Sequence, residues 1–138
     1  MSTFKAIKDL IPQREPFLFV DQVVDYKDQS ITTSYKVRGD EDFFKGHFPG
    51  NPIMPGVILQ EAIFQSAAAL MSLMSDGSGL GVVTRVNSAK FKNMVRPGDE
   101  LIMTVELSES LQNAHFMKGQ TKVNGKTVIA IEFAVASV

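Results

Sequence analysis

The sequence contains no cysteine and no tryptophan, and only two histidines occur among its 138 residues. Without cysteine the chain can form no disulfide, and it has no thiolate to act as a nucleophile or a metal ligand. No grouping of His, Asp and Glu has the spacing of a metal site, and the glycine-rich phosphate-binding motifs are missing. We therefore expect neither a metal nor a cofactor.

An excess of either charge is also missing. Fourteen Lys and Arg residues stand against fifteen Asp and Glu residues, which gives a formal net charge of −1. Proteins that bind nucleic acid or an anionic membrane surface usually carry a basic patch or stripe. We expect neither partner for this chain.

The chain also lacks a long hydrophobic run. The N-terminal stretch MSTFKAIKDLIPQ lacks the apolar core of a signal peptide. In the most apolar predicted helix, the longest unbroken run covers residues 67–71, whereas a bilayer span needs about 20 apolar residues. The expectation is a soluble, cytoplasmic protein.

Periodicity and turn signals predict one α+β domain over residues 1–138. The predicted elements, in chain order, are a short amphipathic helix at 3–11, strands at 17–26 and 30–37, a long helix from 56 to about 74, and strands at 81–92, 100–109, 113–123 and 126–137. Turn signals separate the last strands at residues 96–99, 108–112 and 124–125. Because the long helix is apolar on nearly all sides, we expect an antiparallel sheet to wrap it.

The segment GHFPGNPIMPG at residues 46–56 combines three prolines with three glycines around His47. Each proline fixes a φ angle, and each glycine permits a conformation or a close approach that a side chain would forbid. Such a loop is suited to hold an imidazole in one place. A lone histidine in a loop is more often structural or simply exposed, so this alternative stays open.

The long helix starts directly after this loop and carries a thin polar stripe. At 100° per residue its members share one face, and they are Val57, Glu61, Gln65, Ala68 and Ser72. The stripe either faces solvent or belongs to a site. In a site, free N–H groups at Gly56 could stabilise a developing oxyanion, His47 could act as base, and Glu61 as acid with a pKa raised by apolar surroundings. This set suits removal of a proton next to a thioester carbonyl and loss of a hydroxyl group.

Together, GHFPGNPIMPG and the following EAIFQ closely resemble G-H-F-P-G-N-P-x-M-P-G and E-A-x-x-Q of the β-hydroxyacyl-acyl carrier protein dehydratases, FabZ type. The resemblance covers most of the chain. IPQREPFLFVDQV resembles the family's P-H-R-x-P-F-L-L-V-D segment, and KFKNMVRPGDEL resembles its K-F-R-x-x-V-x-P-G-D-x-L segment. It implies a hot-dog fold, in which an antiparallel sheet wraps one long central helix. It also implies a hydro-lyase that converts (3R)-hydroxyacyl thioesters into trans-2-enoyl thioesters.

The resemblance further implies a role for single positions. His47 matches the family's catalytic histidine and Glu61 its catalytic carboxylate, while Gly56 matches the glycine whose N–H binds the thioester carbonyl. The His and Glu that act together come from two subunits of a homodimer, and such dimers commonly form hexamers as trimers of dimers. Further candidates for the substrate tunnel are Phe48, Phe64 and Gln65.

The partner that the resemblance implies is an acyl carrier protein. Carrier proteins are acidic, so a small local basic patch would favour docking even on a neutral protein. Lys90, Lys92 and Arg96 beside the Pro-Gly-Asp turn are the candidates for this contact.

Several positions depart from the family pattern. Gln13 replaces the usual histidine, and Glu15 stands where an aromatic residue is common. Gln60 stands where the family tends to be apolar, and Phe64 occupies a position where the FabZ type usually has a small residue. These departures leave room for a specialised polyene or polyketide pathway beside fatty acid synthesis. Acyl chain length, carrier protein versus coenzyme A, and isomerase activity stay open.

Two functions from other classes compete with the dehydratase. A hot-dog thioesterase would hydrolyse the thioester, but it would leave the loop around His47 without an obvious purpose. A non-catalytic acyl-binding module is the third reading, and the presence of both His47 and Glu61 argues against it.

Overall fold

A computed structural model describes residues 4–75 and 81–137 of the chain. Within this part, two short 3-10 turns (Ile7–Asp9 and Asp42–Lys45) accompany the longer elements. These are β1 (Gln22–Lys27), β2 (Ser30–Lys36), α1 (Gly56–Met74), β3 (Gly81–Phe91), β4 (Glu100–Leu111), β5 (Ala114–Val123) and β6 (Lys126–Ser137). The strands form one sheet in the order β1-β2-β4-β5-β6-β3, and every neighbouring pair is antiparallel. The predicted α+β class is confirmed.

The helix α1 fills the concave side of this sheet and contacts the strands β2 to β6. Eight of its residues are buried, namely Leu59, Ala62, Ile63, Gln65, Ser66, Ala67, Ala69 and Leu70. The packing against β5 is so close that a Cβ atom at Gly119 would lie 2.6 Å from Cγ2 of Ile63. Only a residue without a side chain lets the helix approach this strand.

By length and composition alone, α1 could also cross a membrane. Its buried face, however, packs against side chains of the sheet such as Met103, Ile131 and Phe133, which are themselves at most 2% exposed. An apolar helix enclosed by a sheet is what the core of a globular domain requires. Here α1 is that core helix.

The N-terminal helix predicted for residues 3–11 is wrong over the part that the structure describes, where a single 3-10 turn replaces it. The turn cannot continue as a helix past residue 11, because Pro12 has no N–H to bond the carbonyl oxygen of Lys8. The Arg14 guanidinium donates to this oxygen instead and also to that of Ile11, each at 2.8 Å.

The first strand begins at Gln22, five residues later than predicted. At Phe17 and Phe19, the backbone bonds to a side chain of the core helix, and only at Asp21 does an N–H reach β2, at Ser34 O. Phe19 N–H donates to Gln65 Oε1 at 2.8 Å, and Phe17 O accepts from Gln65 Nε2 at 3.0 Å. The apolar and aromatic composition of this segment therefore reflects burial beside α1, not strand pairing.

The β4–β5 connection is tighter than predicted. The turn signals at 108–112 suggested an early end of β4, yet the strand continues to Leu111. A register shift between Leu107 and Glu109 absorbs the polar stretch within the ladder. At the turn predicted for residues 124–125, Asn124 and Gly125 both have positive φ angles, 50° and 81°, as a two-residue hairpin requires.

Candidate active site

The loop that carries His47 is closed by its own backbone. Ile53 N–H donates to the carbonyl oxygen of His47 at 3.0 Å, and Asn51 N–H donates to that of Phe48 at 2.9 Å. Met54 N–H, at the end of the loop, donates to Val95 O at 2.8 Å and ties the loop to the segment before β4. The prolines and glycines of residues 46–56 thus form a loop with a defined path, as the sequence predicted.

The imidazole of His47 is oriented by the same loop. Its Nδ1 lies 2.8 Å from Ile53 O, and its ring stacks on that of Phe48 with 4.0 Å between the centroids. A carbonyl oxygen can only accept, so Nδ1 carries the hydrogen in the neutral ring. This leaves the lone pair on Nε2, the atom that a general base uses.

The helix α1 begins at Gly56 without a side-chain cap. In the described part of the chain, the N–H groups of Gly56 and Val57 have no hydrogen-bond partner. Unpaired N–H groups at a helix N-terminus carry partial positive charge and can stabilise an oxyanion. A Cβ at Gly56 would also lie 2.8 Å from the ring of Phe91, so a side chain here would have to displace that ring.

The carboxyl group of Glu61 lies one turn further along α1 and is bonded at one oxygen only. Gln65 Nε2 donates to Glu61 Oε2 at 3.0 Å, whereas Oε1 has no partner among the described residues. Burial raises the pKa of Glu61, and the hydrogen bond from Gln65 opposes this effect only in part. The predicted direction of the pKa shift is confirmed. Because Oε2 already accepts a hydrogen bond, the proton belongs on Oε1.

Gln65, a predicted candidate for the substrate tunnel, lies in the protein interior. It is 0% exposed, and its amide is used by Glu61, Phe17 and Phe19 together. Both N–H groups are donated within the protein, so Gln65 orients Glu61 and holds the segment 17–19 against α1. For this residue the solvent-facing alternative is wrong, and its buried amide supports a positioning role more than direct substrate binding.

Glu61 opens into a cavity of about 460 Å³. The α1 residues in its wall are Glu61, Phe64, Ala68, Met71 and Ser72, and Ser75 follows directly after the helix. The opposite wall comes from the N-terminal segment, the start of β3 and the end of β6, through Leu10, Pro12, Gln13, Gly81, Val82, Val83, Val135 and Ser137. The ring of Phe64 leans edge-on against that of Phe133 at 5.0 Å. A largely apolar cavity with one carboxyl group suits an acyl chain.

His47, Phe48 and Gly56 do not line this cavity within one chain. Phe48 is 47% exposed, and Val57, next to Gly56, is 69% exposed. The structure thus brings Glu61 and Phe64 together, and it leaves the His47 loop and the start of α1 open at the protein surface.

The three predicted carrier contacts separate into two groups. Lys90 and Lys92 line a groove of about 460 Å³ on the sheet face opposite α1, together with Lys118, Glu106 and Glu132. Arg96 does not line this groove. Its guanidinium donates to Asn51 Oδ1 at 3.0 Å, which connects it to the His47 loop.

Sequence reasoning did not assign a place in the site to Gln13, which it singled out only as a departure from the family pattern. Its position in the cavity wall depends on the path of the N-terminal segment, which Arg14 fixes through its hydrogen bonds to backbone oxygens. The apolar residues of the wall, such as Met71 and Val82, gave no signal because their composition is that of any core.

One antiparallel sheet that wraps a single apolar helix is the arrangement of the hot-dog fold. Residues 11–132 match the model of the FabA-like domain family, so the chain belongs to this family. A curated relative, the 3-hydroxyacyl-[acyl-carrier-protein] dehydratase FabZ of Ruminiclostridium cellulolyticum, is 39% identical over 138 residues, which cover 99% of this chain and 97% of the relative.

Solved structures support the fold. The dehydratase heterocomplex ApeI:P from Xenorhabdus doucetiae matches with a TM-score of 0.82 at 13% identity, over 98% of this chain and 92% of the other. A hypothetical thioesterase with coenzyme A from Streptococcus pneumoniae TIGR4 matches with a TM-score of 0.68 at 15% identity, over 85% and 84%. At these identities the likeness shows the fold alone, so the sequence family and the site must indicate the activity.

Proposed function

We propose that this chain is a dehydratase of (3R)-3-hydroxyacyl groups carried as thioesters on acyl carrier protein, with trans-2-enoyl thioester as the product. The observation that carries the proposal is the Glu61 carboxyl group, bonded by Gln65 at Oε2 and free at Oε1 on the wall of an apolar cavity. A protonated carboxyl group in this place is a proton donor for a departing hydroxyl group. The dehydratase activity of the Ruminiclostridium cellulolyticum relative supports the same reaction for this chain.

In the proposed reaction His47 is the base and Glu61 the acid. Nε2 of His47 takes a proton from C2 of the acyl group, and the electron pair forms the C2–C3 double bond. The C3–O bond breaks, and the hydroxyl group leaves as water with the proton from Glu61 Oε1. The N–H groups of Gly56 and Val57 stabilise the negative charge that develops on the thioester oxygen.

A site shared between two subunits of a homodimer is part of the proposal, and the position of these groups supports it. Within one chain, the cavity that holds Glu61 contains no part of the His47 loop. The edge strand β3 exposes Val82, Val83 and Val86 by 38–48%, and Val82 and Val83 also line the cavity. An exposed apolar edge strand is a pairing surface, so a second copy on β3 would lie directly at the cavity. Assembly of such dimers into a hexamer is a further part of the proposal.

The carrier protein and the compartment complete the proposal. Lys90, Lys92 and Lys118 are the candidate contacts for an acidic carrier protein, in a groove that Glu106 and Glu132 also line. Arg96 remains a candidate for this contact, although its hydrogen bond to Asn51 favours a role in the His47 loop. We expect the reaction to serve fatty acid synthesis in the cytoplasm, and Phe64 to limit the acyl chains that fit.

Turnover of a (3R)-hydroxyacyl thioester tests the activity. Dehydration produces enoyl absorbance without free thiol, whereas the thioesterase reading requires free thiol without an enoyl product. An acyl-binding module would give neither signal. Glu61→Gln and His47→Ala should each lower the dehydration rate by roughly 10²-fold or more while the protein stays folded, which is the usual scale for a positioned acid or base. A folded variant of either kind with the rate of the unchanged protein would contradict the assignment.

A further inference from the structure

Gln13 shares the cavity wall with Glu61, and its side chain carries an unsatisfied oxygen. Gln13 Oε1 is shielded from solvent and accepts no hydrogen bond from any described residue. Buried amide oxygens nearly always have a partner, so an exception calls for an explanation such as a ligand. In the neighbouring wall, Leu10 and Pro12 offer no side-chain donor.

The backbone around Gln13 is held firmly. The Arg14 guanidinium donates to the carbonyl oxygens of Lys8, Ile11 and Gln13, each at 2.8 Å. The Gln13 amide is therefore carried by a fixed segment, while its terminal torsion is soft, as it is for any sp² amide. A small rotation can turn the oxygen toward a donor in the cavity.

A hydroxyl group that takes a proton from Glu61 needs a second contact. Its oxygen receives the hydrogen bond from Glu61 Oε1, and its own hydrogen needs an acceptor. The serines of the wall are poor candidates, since Ser72 lies 11 residues beyond Glu61 on α1, about 16 Å along the axis, and Ser75 follows after the end of the helix. Ser137 Oγ is already bonded to Nε2 of His115 at 3.1 Å. Gln13 is the remaining polar residue in the described wall.

We infer that Gln13 recognises the β-hydroxyl group of the substrate, with Oε1 accepting the hydroxyl hydrogen while Glu61 Oε1 donates to the hydroxyl oxygen. This inference rests on the proposed dehydratase function. Gln13 gains no proton in the reaction, because the proton on the leaving group comes from Glu61 and the C2 proton goes to His47. Gln13 remains the acceptor for the water that departs.

Binding of paired ligands in a His47→Ala background tests this, since that background keeps Glu61 and slows turnover by roughly 10²-fold or more. The probes are N-acetylcysteamine thioesters of one chain length, one 3-hydroxyacyl and one saturated acyl, titrated by calorimetry. Gln13→Met removes the amide at nearly the same length. It should weaken the hydroxyacyl probe by about 3- to 10-fold, the worth of one neutral hydrogen bond, and leave the saturated probe unchanged. Gln120→Met, on the opposite sheet face, is the matched control and should change neither affinity.

Two outcomes would overturn the inference. In one, the affinity ratio of the probes is the same in Gln13→Met as in its parent; in the other, both probes weaken equally, which makes Gln13 a shaping residue only. If Gln13→Met does not fold, Gln13→Asn replaces it, because its shorter side chain withdraws the amide oxygen from the cavity. Gln13→Asn should also lower the affinity for the hydroxyacyl probe relative to the saturated probe. Turnover by the unchanged protein is measured separately, so an absent activity would refute the proposed function and not this binding preference.

Discussion

At the scale of single residues, the most informative group is the Glu61 carboxyl. Its pKa in the folded protein lies above the ordinary value of 4.5 because burial penalises the charged form. Folding therefore favours the protonated group. The stability from this group is fully present below the unfolded pKa and is lost as the pH rises through the higher folded pKa.

Glu61→Gln should therefore stabilise the protein at neutral pH and have little effect in acid. Gln keeps an acceptor for Gln65 and removes the burial of a charge. Chemical unfolding at about pH 4 and about pH 8, at one protein concentration, measures the difference between variant and unchanged protein. The gain should grow with pH; an equal gain at both pH values would mean that Glu61 has the same pKa in both states.

Phe64 is the second residue with a separable role. Its ring is partly buried, contacts Phe133 and lines the cavity. Phe64→Ala should cost about 2–3 kcal/mol of unfolding free energy, somewhat less than the 3–5 kcal/mol for a fully buried ring. It should also raise kcat/KM for long acyl chains relative to short ones, because cavity volume is released.

Phe64→Leu is the graded control, and it should show a smaller change in both quantities. A series of hydroxyacyl thioesters of increasing length provides the comparison. If Phe64→Ala is folded and less stable but keeps the same relative kcat/KM across the series, the ring belongs to the core alone.

At the scale of elements, local signals predicted what local physics decides. The Asn124-Gly125 turn needs only two positive φ angles, and α1 needs only its proline start and its apolar faces. The segment Phe17–Val20 could not be placed in the same way, since its backbone bonds to Gln65, more than 45 residues away in sequence. A side chain of the core helix satisfies backbone groups that the pattern alone assigns to a strand.

The residues of the site also divide into those that a local motif predicts and those that long-range contacts place. His47, Gly56 and Glu61 stand in one stretch of 15 residues, so their motif could be recognised in the sequence. The positioning role of Gln65 and the cavity position of Gln13 arise only when the N-terminal segment packs against α1. These contacts join distant parts of the chain, and no spacing rule encodes them.

Arg96 tests which element contacts the carrier. Its hydrogen bond to Asn51 stabilises the His47 loop, so Arg96→Met should lower kcat by roughly 5-fold, the effect of about 1 kcal/mol, on carrier-bound and small thioester substrates alike. Lys92→Met, in the groove on the other sheet face, should instead raise KM for the carrier-bound substrate only. Steady-state kinetics with both substrate forms separates the two. If Arg96→Met instead raises KM for the carrier-bound substrate only, Arg96 contacts the carrier protein.

At the scale of the whole molecule, the edge strand β3 presents an exposed apolar edge that a second subunit could cover. Val82, Val83, Val86 and Phe91 are exposed by 38–51%, and the strand has a neighbour on one side only. A monomer would gain nothing from such an edge, which invites aggregation. In a dimer paired through β3, the edge is covered and the cavity beside Glu61 faces the partner.

Subunit complementation tests this arrangement. His47→Ala and Glu61→Gln chains should each be nearly inactive alone. After random exchange, half of the dimers are mixed, and each mixed dimer has one intact pair in two sites, so activity should recover to roughly a quarter of the unchanged protein. Mass spectrometry of differently tagged chains verifies the exchange, and each variant exchanged with its own tagged copy is the control. Verified mixed dimers without recovered activity would place His47 and Glu61 of one chain in the same site.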